Sequence, residues 1–181
     1  MHTSLDGFVA RPGGEMDWIK LSDDMWDYVD SITAGSDTAV FGEVTYRLME
    51  SYWPTAAEKP DASKHDIDHA KWVNNVSKIV FSNTLKSSDW NNTQIVAGDI
   101  AEKVREWKQQ PGKNIMIFGS PTLAHSFMQS NLIDEYRLNV NPIILGKGKP
   151  LFKDIEKEIP LKLTNTITFK SGVLGLTYEK E

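Results

Sequence analysis

Short apolar runs alternate with segments of helical periodicity through the middle of the chain, and this alternation restricts the fold more than any other feature of the sequence. Four runs are rich in β-branched or aromatic residues and end in glycine or serine, namely TAVFG (38–42), KIVFS (78–82), TQIVAG (93–98) and NIMIFG (114–119). Such runs are typical of buried strands. Strands that alternate with helices favour a mainly parallel sheet covered on both faces, so the sequence predicts the α/β class.

Helices are predicted between these runs from their capping residues and apolar spacing. The segment 22–35 begins with serine, carries acids in its first turn and stops at glycine. The segment 99–112 begins with an aspartate cap and ends in Pro-Gly, and 120–134 begins with Ser-Pro. The polar segment 54–72 predicts a surface excursion that becomes helical around residues 64–75.

The pattern changes after residue 134. The runs LKLTNTITF (161–169) and VLGLTYEK (173–180) are separated by three residues that include Ser-Gly. This arrangement predicts an antiparallel hairpin that closes one edge of the sheet.

Composition limits the class of protein. The 181 residues fit one domain, 1–181, with a single core. The absence of cysteine excludes disulfides, thiolate metal sites and a cysteine nucleophile. A net charge of −5 with dispersed lysines gives no electrostatic footprint for nucleic acid, and no apolar run approaches the length of a membrane span. We expect a cytoplasmic protein whose partner is a small molecule.

Three strand-to-helix corners are the places where chemistry is expected, namely FGEVTY (41–46), FSNTL (81–85) and FGSPTL (118–123). In open α/β sheets, ligands bind beyond the carboxyl ends of the strands, where helix N-termini favour anions. Each corner taken alone is equally typical of an ordinary turn with an N-cap. The chain has neither GxGxxG nor a Walker lysine motif, so a standard Rossmann site and a P-loop are not predicted.

Several segments occur in an order that is characteristic of one superfamily. They are the opening SLDGFVA and GGEMDW, the segment FGEVTYRLMESYWP, the run KIVFSNTL, the long segment from NIMIFGSPTL to GKGKPLF, and the final hairpin. Together they resemble the dihydrofolate-reductase-like superfamily. Within it they are most similar to the C-terminal reductase domain of the bifunctional riboflavin-biosynthesis deaminase/reductase. The resemblance covers essentially the whole chain. It implies a three-layer α/β/α fold, with a mostly parallel central sheet and a C-terminal antiparallel hairpin.

The same resemblance implies an NADPH-dependent reductase of a pyrimidine, pterin or related heterocycle, similar to 5-amino-6-(5-phosphoribosylamino)uracil reductase. A homodimer is also plausible on this basis. The family's cofactor-binding positions correspond here to Gly42, Thr45, Ser82, Asn83, Gly119, Ser120, Thr122 and Leu123.

Three departures from the family pattern bear on these expectations. Glu43 stands where the family commonly has arginine, and Asn83 where it often has a basic residue. Both remove positive charge from the expected position of the NADPH 2′-phosphate, which leaves the choice between NADPH and NADH open. Only three residues precede SLDG, where the family has a strand of the central sheet. That strand is therefore expected to be missing here or replaced by another segment.

Asp6 is the candidate catalytic residue, because hydride transfer needs a proton source and a carboxyl group near apolar rings can have a raised pKa. The alternative is that Asp6-Gly7 is only a turn. Trp18 and Asp24 are candidates for substrate binding, with core packing and complementation of the helix dipole as their alternatives. The segment RPGGEMDW (11–18) is expected to be a mobile lid.

Two rival functions remain. The first is a non-catalytic ligand-binding or interaction protein that kept the fold but lost the cofactor, which agrees with Glu43 and Asn83. The second is a metal-dependent surface function through His65 and His69, which would share one face of a helix. A third convergent ligand is not evident, so no metal is predicted. His125 is expected to be structural.

Overall fold

The computed structural model describes all residues 1–181, and the chain divides into two compact units. Met1–Met25 together with Ala124–Glu181 form what we call the terminal unit, and Trp26–Leu123 form the middle unit. The divisions fall within two helices, α1 (Asp23–Ala34) and α5 (Pro121–Gln129). The expectation of a single domain over residues 1–181 stays a prediction.

The middle unit is built on a four-stranded sheet in the order β5-β4-β3-β6. Its strands are β3 (Ser36–Gly42), β4 (Ser77–Phe81), β5 (Thr93–Val96) and β6 (Asn114–Phe118). All three pairings are parallel. The four strands predicted from the apolar runs are therefore confirmed, as is their parallel arrangement.

Helices connect β3 to β4 and β5 to β6, as the alternation predicts, whereas no helix lies between β4 and β5. They are α2 (Glu43–Glu50), a 3-10 helix (Trp53–Glu58), α3 (Lys64–Asn75) and α4 (Ile100–Lys108). The side chain of Ser63 accepts a hydrogen bond from the backbone of Asp66 in a reciprocal capping box, and Asp99 caps α4 in a similar way. The helix expected around residues 64–75 is confirmed.

Helices cover both faces of the parallel sheet. Successive strand residues point to opposite faces, so Phe41 and its partner Val80 share one side, while Phe81 lies on the other. The first side packs against buried Tyr46 of α2 and the end of α3. On the second side, the ring of Phe81 lies 6.0 Å from that of Trp107 in α4. This layering follows from the continuous apolar character of the strands.

The terminal unit contains a mixed sheet in the order β1-β7-β10-β9 and a separate pair, β2-β8. Its strands are β1 (His2–Thr3), β2 (Phe8–Ala10), β7 (Glu135–Val140), β8 (Lys149–Pro150), β9 (Leu161–Thr168) and β10 (Leu174–Lys180). The antiparallel hairpin β9-β10 is confirmed, but it does not close an edge of the parallel sheet as expected. It pairs with β7 in the mixed sheet, where β9 is the edge strand.

The strand expected to be missing at the start of the chain is present in a shortened form. His2 and Thr3 pair in parallel with β7, opposite Asn139 and Val140. Buried Asn141 holds this strand to the following segment, since its side chain donates to the Thr3 carbonyl (3.3 Å) and accepts from the Lys20 N–H (2.9 Å). A strand of only two residues is held in place here because backbone pairing and the buried Asn141 amide act together.

No helix of this structure combines the length and the apolar character that crossing a membrane requires.

Candidate active site

The three predicted corners lie at one edge of the parallel sheet of the middle unit, but the expectation that each leads into a helix is wrong for the corner after β4, which is followed by a loop. Strands β4, β3 and β6 are consecutive neighbours and run in the same direction. Their carboxyl ends lead into Ser82, into Gly42 at the start of α2, and into Gly119 before α5. The expected cofactor-binding residues are therefore brought together, although each was identified from a separate stretch of sequence.

The corners after β3 and β6 are in direct contact. A Cβ atom at Gly42 would lie 2.5 Å from Ser120 Oγ, and one at Gly119 would lie 2.8 Å from Thr45 Cγ2. Both distances are shorter than a carbon side chain tolerates. Each corner thus requires a glycine because a side chain of the other corner occupies the space.

The β6–α5 corner has an uncommon backbone. Gly119 has φ +59° and Ser120 has φ +50°, so two consecutive residues adopt the left-handed conformation. That conformation costs a non-glycine residue about 1 kcal/mol or more, and such strain is concentrated at functional sites. Ser120 Oγ accepts from the N–H of Leu123 (3.3 Å), which caps the start of α5.

The start of α2 is not capped by a side chain, because its N-cap residue is Gly42. The N–H groups in the first turn of a helix favour negative charge. The first helical residue is itself acidic, however, since it is Glu43.

The Glu43 carboxylate is the centre of a hydrogen-bond network at this edge. It accepts from the hydroxyls of Ser82 and Thr84 and from Arg47 Nε, the last at 3.0 Å. The two hydroxyls, followed by Arg47, lower the pKa of Glu43 to about 2. The side chain is therefore fully ionised at neutral pH, and it joins the corner after β4 to the corner after β3.

Sequence reasoning treated Glu43 only as a missing positive charge and did not select Thr84. The available signal was the spacing Ser82-x-Thr84 after a strand, because a serine or threonine at the first position accepts from nearby N–H groups. Ser82 Oγ indeed accepts from the N–H groups of Thr84 (3.0 Å) and Leu85 (2.9 Å).

The other expected cofactor-binding residues, Asn83, Thr122 and Leu123, differ in how far their side chains are exposed to solvent. Asn83 and Thr122 are exposed, and the Asn83 carbonyl accepts from Lys86 Nζ at 3.3 Å. Leu123 is buried, so its side chain belongs to the core and only its backbone is available at the corner.

Asp6 lies in the terminal unit, where its carboxylate binds the backbone of the loop at residues 145–146. Its carboxylate accepts from Ser4 Oγ (2.6 Å) and from the N–H groups of Leu145 (3.1 Å) and Gly146 (2.7 Å). The bond from Ser4, followed by the two backbone bonds, lowers the pKa of Asp6. The expectation of a raised pKa is wrong, because the carboxylate receives hydrogen bonds where apolar surroundings were expected. This geometry argues against a proton-donor role for Asp6.

Asp6→Asn is expected to lower the midpoint of urea unfolding at pH 7, because the amide removes the charge that the three donors favour. A lowered folded pKa means that the contribution is present above the unfolded value of 3.8 and is lost as pH falls through the folded pKa. The two midpoints should therefore converge as the pH falls below the folded pKa of Asp6. Asp61→Asn, on an exposed acid, is the control. Equal midpoints for Asp6→Asn and wild type at pH 7 would contradict this role.

Trp18 and Asp24, the expected substrate-binding residues, each hold a buried polar atom without a hydrogen-bond partner. Trp18 is buried, and its Nε1 has no acceptor. Asp24 Oδ2 accepts from the Lys170 N–H (2.9 Å), whereas its buried Oδ1 has no donor. Bonds from Ser22 and Lys170 lower the pKa of Asp24. Orphaned buried polar atoms are uncommon, and each requires a reason.

The two histidines of α3 pack among aromatic rings. The His65 ring stacks on Trp26 with centroids 3.9 Å apart, and His65 Nδ1 lies 3.2 Å from Asp30. His69 is buried 4.3 Å from the Trp53 ring, and burial lowers its pKa to about 4. No group of three or more His, Asp or Glu side chains that could hold a metal ion is present. His125 Nε2 lies 2.9 Å from the Leu151 carbonyl oxygen.

A parallel sheet with helices on both faces, a C-terminal antiparallel hairpin and glycine-containing corners at the strand ends define the α/β class of dihydrofolate-reductase-like proteins. The chain belongs to the RibD C-terminal domain family, which it matches over residues 1–174.

Individual proteins are similar to this chain in sequence or in fold. The chain is 38% identical to the uncharacterized protein YyaP of Bacillus subtilis (strain 168) over 177 residues, which cover 97% of this chain and 89% of YyaP. A pyrimidine reductase-like protein from Corynebacterium diphtheriae has a similar fold, with a TM-score of 0.64, 15% identity and coverage of 99% and 89% of the two chains. Dihydrofolate reductase from Enterococcus faecalis, complexed with NADP(H), also has a similar fold. Its TM-score is 0.63, its sequence identity is 12%, and the match covers 99% of this chain and 93% of the reductase.

Proposed function

We propose that this protein is a nicotinamide-dependent reductase of a flat nitrogen heterocycle, a pyrimidine, a pterin or a related compound. The observation that carries the proposal is the set of three corners at the carboxyl ends of β4, β3 and β6. Strand ends of this kind are where α/β proteins bind nucleotides. Membership of the RibD C-terminal domain family supports a reductase related to riboflavin biosynthesis.

The cofactor phosphates are proposed to bind at Gly42, Thr45 and the Gly119-Ser120 corner. The uncapped first turn of α2 supplies N–H groups, and the strained Ser120 backbone fixes the second corner. A bound cofactor would supply the hydride, and the protein residues bind and orient it. Dihydrofolate reductase from Enterococcus faecalis, a structure of similar fold, is complexed with NADP(H). The resemblance implies NADPH for this chain as well.

Trp18 and Asp24 are proposed to contact the substrate. Each orphaned atom has a complementary group on a flat nitrogen heterocycle, because the Trp18 N–H would donate to a ring acceptor and Asp24 Oδ1 would accept from a ring donor. Pyrimidines and pterins carry such donor and acceptor edges. The ionised Asp24 is suited to bind and orient the ring, and its lowered pKa makes it a poor proton donor.

The test is oxidation of reduced nicotinamide cofactor, followed by absorbance, with a panel of pyrimidines and pterins. Substrate-dependent oxidation is expected for wild type. Trp18→Phe removes the orphaned N–H together with the five-membered ring of the indole, and it should raise KM for the accepted substrate by up to about tenfold. Trp107→Phe, an indole of the middle unit, is the matched control and should leave KM unchanged. Absence of oxidation with every compound would contradict a reductase acting on this substrate class.

A non-catalytic ligand-binding protein remains the alternative, and one observation favours it. The ionised Glu43 lies at the edge where the cofactor is proposed to bind. On this alternative, neither NADPH nor NADH binds at millimolar concentration. Homodimer formation and a cytoplasmic location also remain proposals drawn from the resemblance and composition.

A further inference from the structure

The two hydroxyls of the corner after β4 are committed to a neighbouring carboxylate. Ser82 and Thr84 both donate their hydroxyls to the Glu43 carboxylate, so neither hydroxyl is free to donate to an added anion. The Glu43 side chain is only 24% exposed and is held on its other oxygen by Arg47 Nε at 3.0 Å. The carboxylate is therefore a fixed feature of this edge.

The cations nearby do not reverse this charge. Arg47 forms an ion pair with Glu43, so each charge partly offsets the other and Arg47 is not a free cation for a 2′-phosphate. Lys86 Nζ donates to the Asn83 carbonyl at 3.3 Å and is the one further cation bonded within the corner. A 2′-phosphate carries about two negative charges, and in this corner it would meet a carboxylate and find neither a free hydroxyl nor an unpaired arginine.

An unphosphorylated ribose would interact favourably with the Glu43 carboxylate. Ribose hydroxyls are donors, and a carboxylate at the edge of a nucleotide-binding sheet accepts from them well. The same carboxylate thus attracts one form of the cofactor and repels the other.

We propose that this protein uses NADH in preference to NADPH and that Glu43 is the residue that determines this preference. The inference rests on the proposed function, because it assumes that the adenosine ribose of a nicotinamide cofactor binds beside the corner after β4. It replaces the NADPH implied by the resemblance.

The test is calorimetric titration of wild type and variants with NADH and, separately, NADPH. Wild type is expected to bind NADH at least about tenfold more tightly than NADPH. Glu43→Gln keeps an acceptor for the two hydroxyls and removes the charge, so the ratio should fall to within about threefold, through tighter NADPH binding. Glu106→Gln removes the same charge from an exposed position in the last turn of α4 and should leave the ratio unchanged.

The outcomes separate this inference from the proposed function. If wild type binds NADPH as tightly as NADH or more tightly, or if Glu43→Gln leaves the ratio unchanged, the inference is wrong and the reductase remains. NADPH preference that is lost in Lys86→Gln would identify Lys86 as the residue that determines it. If neither cofactor binds, the proposed function itself fails. The wild-type ratio is decisive even if Glu43→Gln does not fold.

Discussion

Gly42→Ala is expected to lower the free energy of unfolding by about 2 to 3 kcal/mol, because the added methyl group overlaps the Ser120 side chain. The Cβ atom would lie 2.5 Å from Ser120 Oγ and 2.9 Å from Ser120 Cβ, so rotation of the hydroxyl alone does not relieve the contact. The backbone of Gly42 is not the cause, since its φ of −81° and ψ of 156° are open to any residue. Urea denaturation measures the effect.

The matched control is the same substitution in a Ser120→Gly background. There the next neighbour of the new methyl is Leu123 Cβ at 3.9 Å, an ordinary contact. The cost of Gly42→Ala should fall below about 1 kcal/mol, which is the difference between glycine and alanine at a helix N-cap. Ser120→Gly also relieves the left-handed backbone, and the double-mutant cycle removes that contribution. Equal costs in both backgrounds would show that the two corners are not in contact.

Lys78→Met is expected to destabilise the protein by about 1 to 3 kcal/mol at neutral pH, because buried carbonyls lose their donor. Lys78 Nζ donates to the carbonyls of Val73 (2.7 Å) and Val76 (3.0 Å), where α3 ends, and lies 4.9 Å from the Trp90 ring. The side chain is fully buried. Methionine preserves the volume but cannot donate. Lys71→Met, on the exposed face of the same helix, is the control and should have little effect.

The pH dependence gives a second readout for Lys78. Burial lowers its pKa from 10.5 to about 8, so the folded state releases a proton that the unfolded state retains. The stability of wild type relative to Lys78→Met should therefore rise between about pH 8 and pH 10.5. A difference that stays constant across this range would show that the lysine is not buried in charged form.

The strands and helices of the middle unit could be predicted from sequence because their cause is local. Continuous apolar runs such as KIVFS and capped helices such as the one that starts after Ser63 carry their signals within a few residues. The strand at His2–Thr3 could not be predicted. Its pairing partner β7 lies more than 130 residues away, and two residues have no periodicity of their own.

The position of the candidate site could be predicted from the sequence, whereas the contacts and hydrogen bonds within it could not. The three corners follow from strand direction, which the alternation of elements predicts. The contact of Gly42 with Ser120 and the network of Glu43 with Ser82 and Thr84 depend on distances between separate corners. The pKa of Asp6 was predicted in the wrong direction, because its donors include the backbone of residues 145–146.

The corners after β3, β4 and β6 are proposed to bind a nicotinamide cofactor. Hydrogen–deuterium exchange of the intact protein, with and without saturating reduced cofactor, tests this proposal. Exchange is expected to slow in segments 42–46, 82–85 and 119–123 when cofactor is bound, because their N–H groups become protected. Unchanged exchange in all three segments, or protection confined to other parts of the chain, would contradict it.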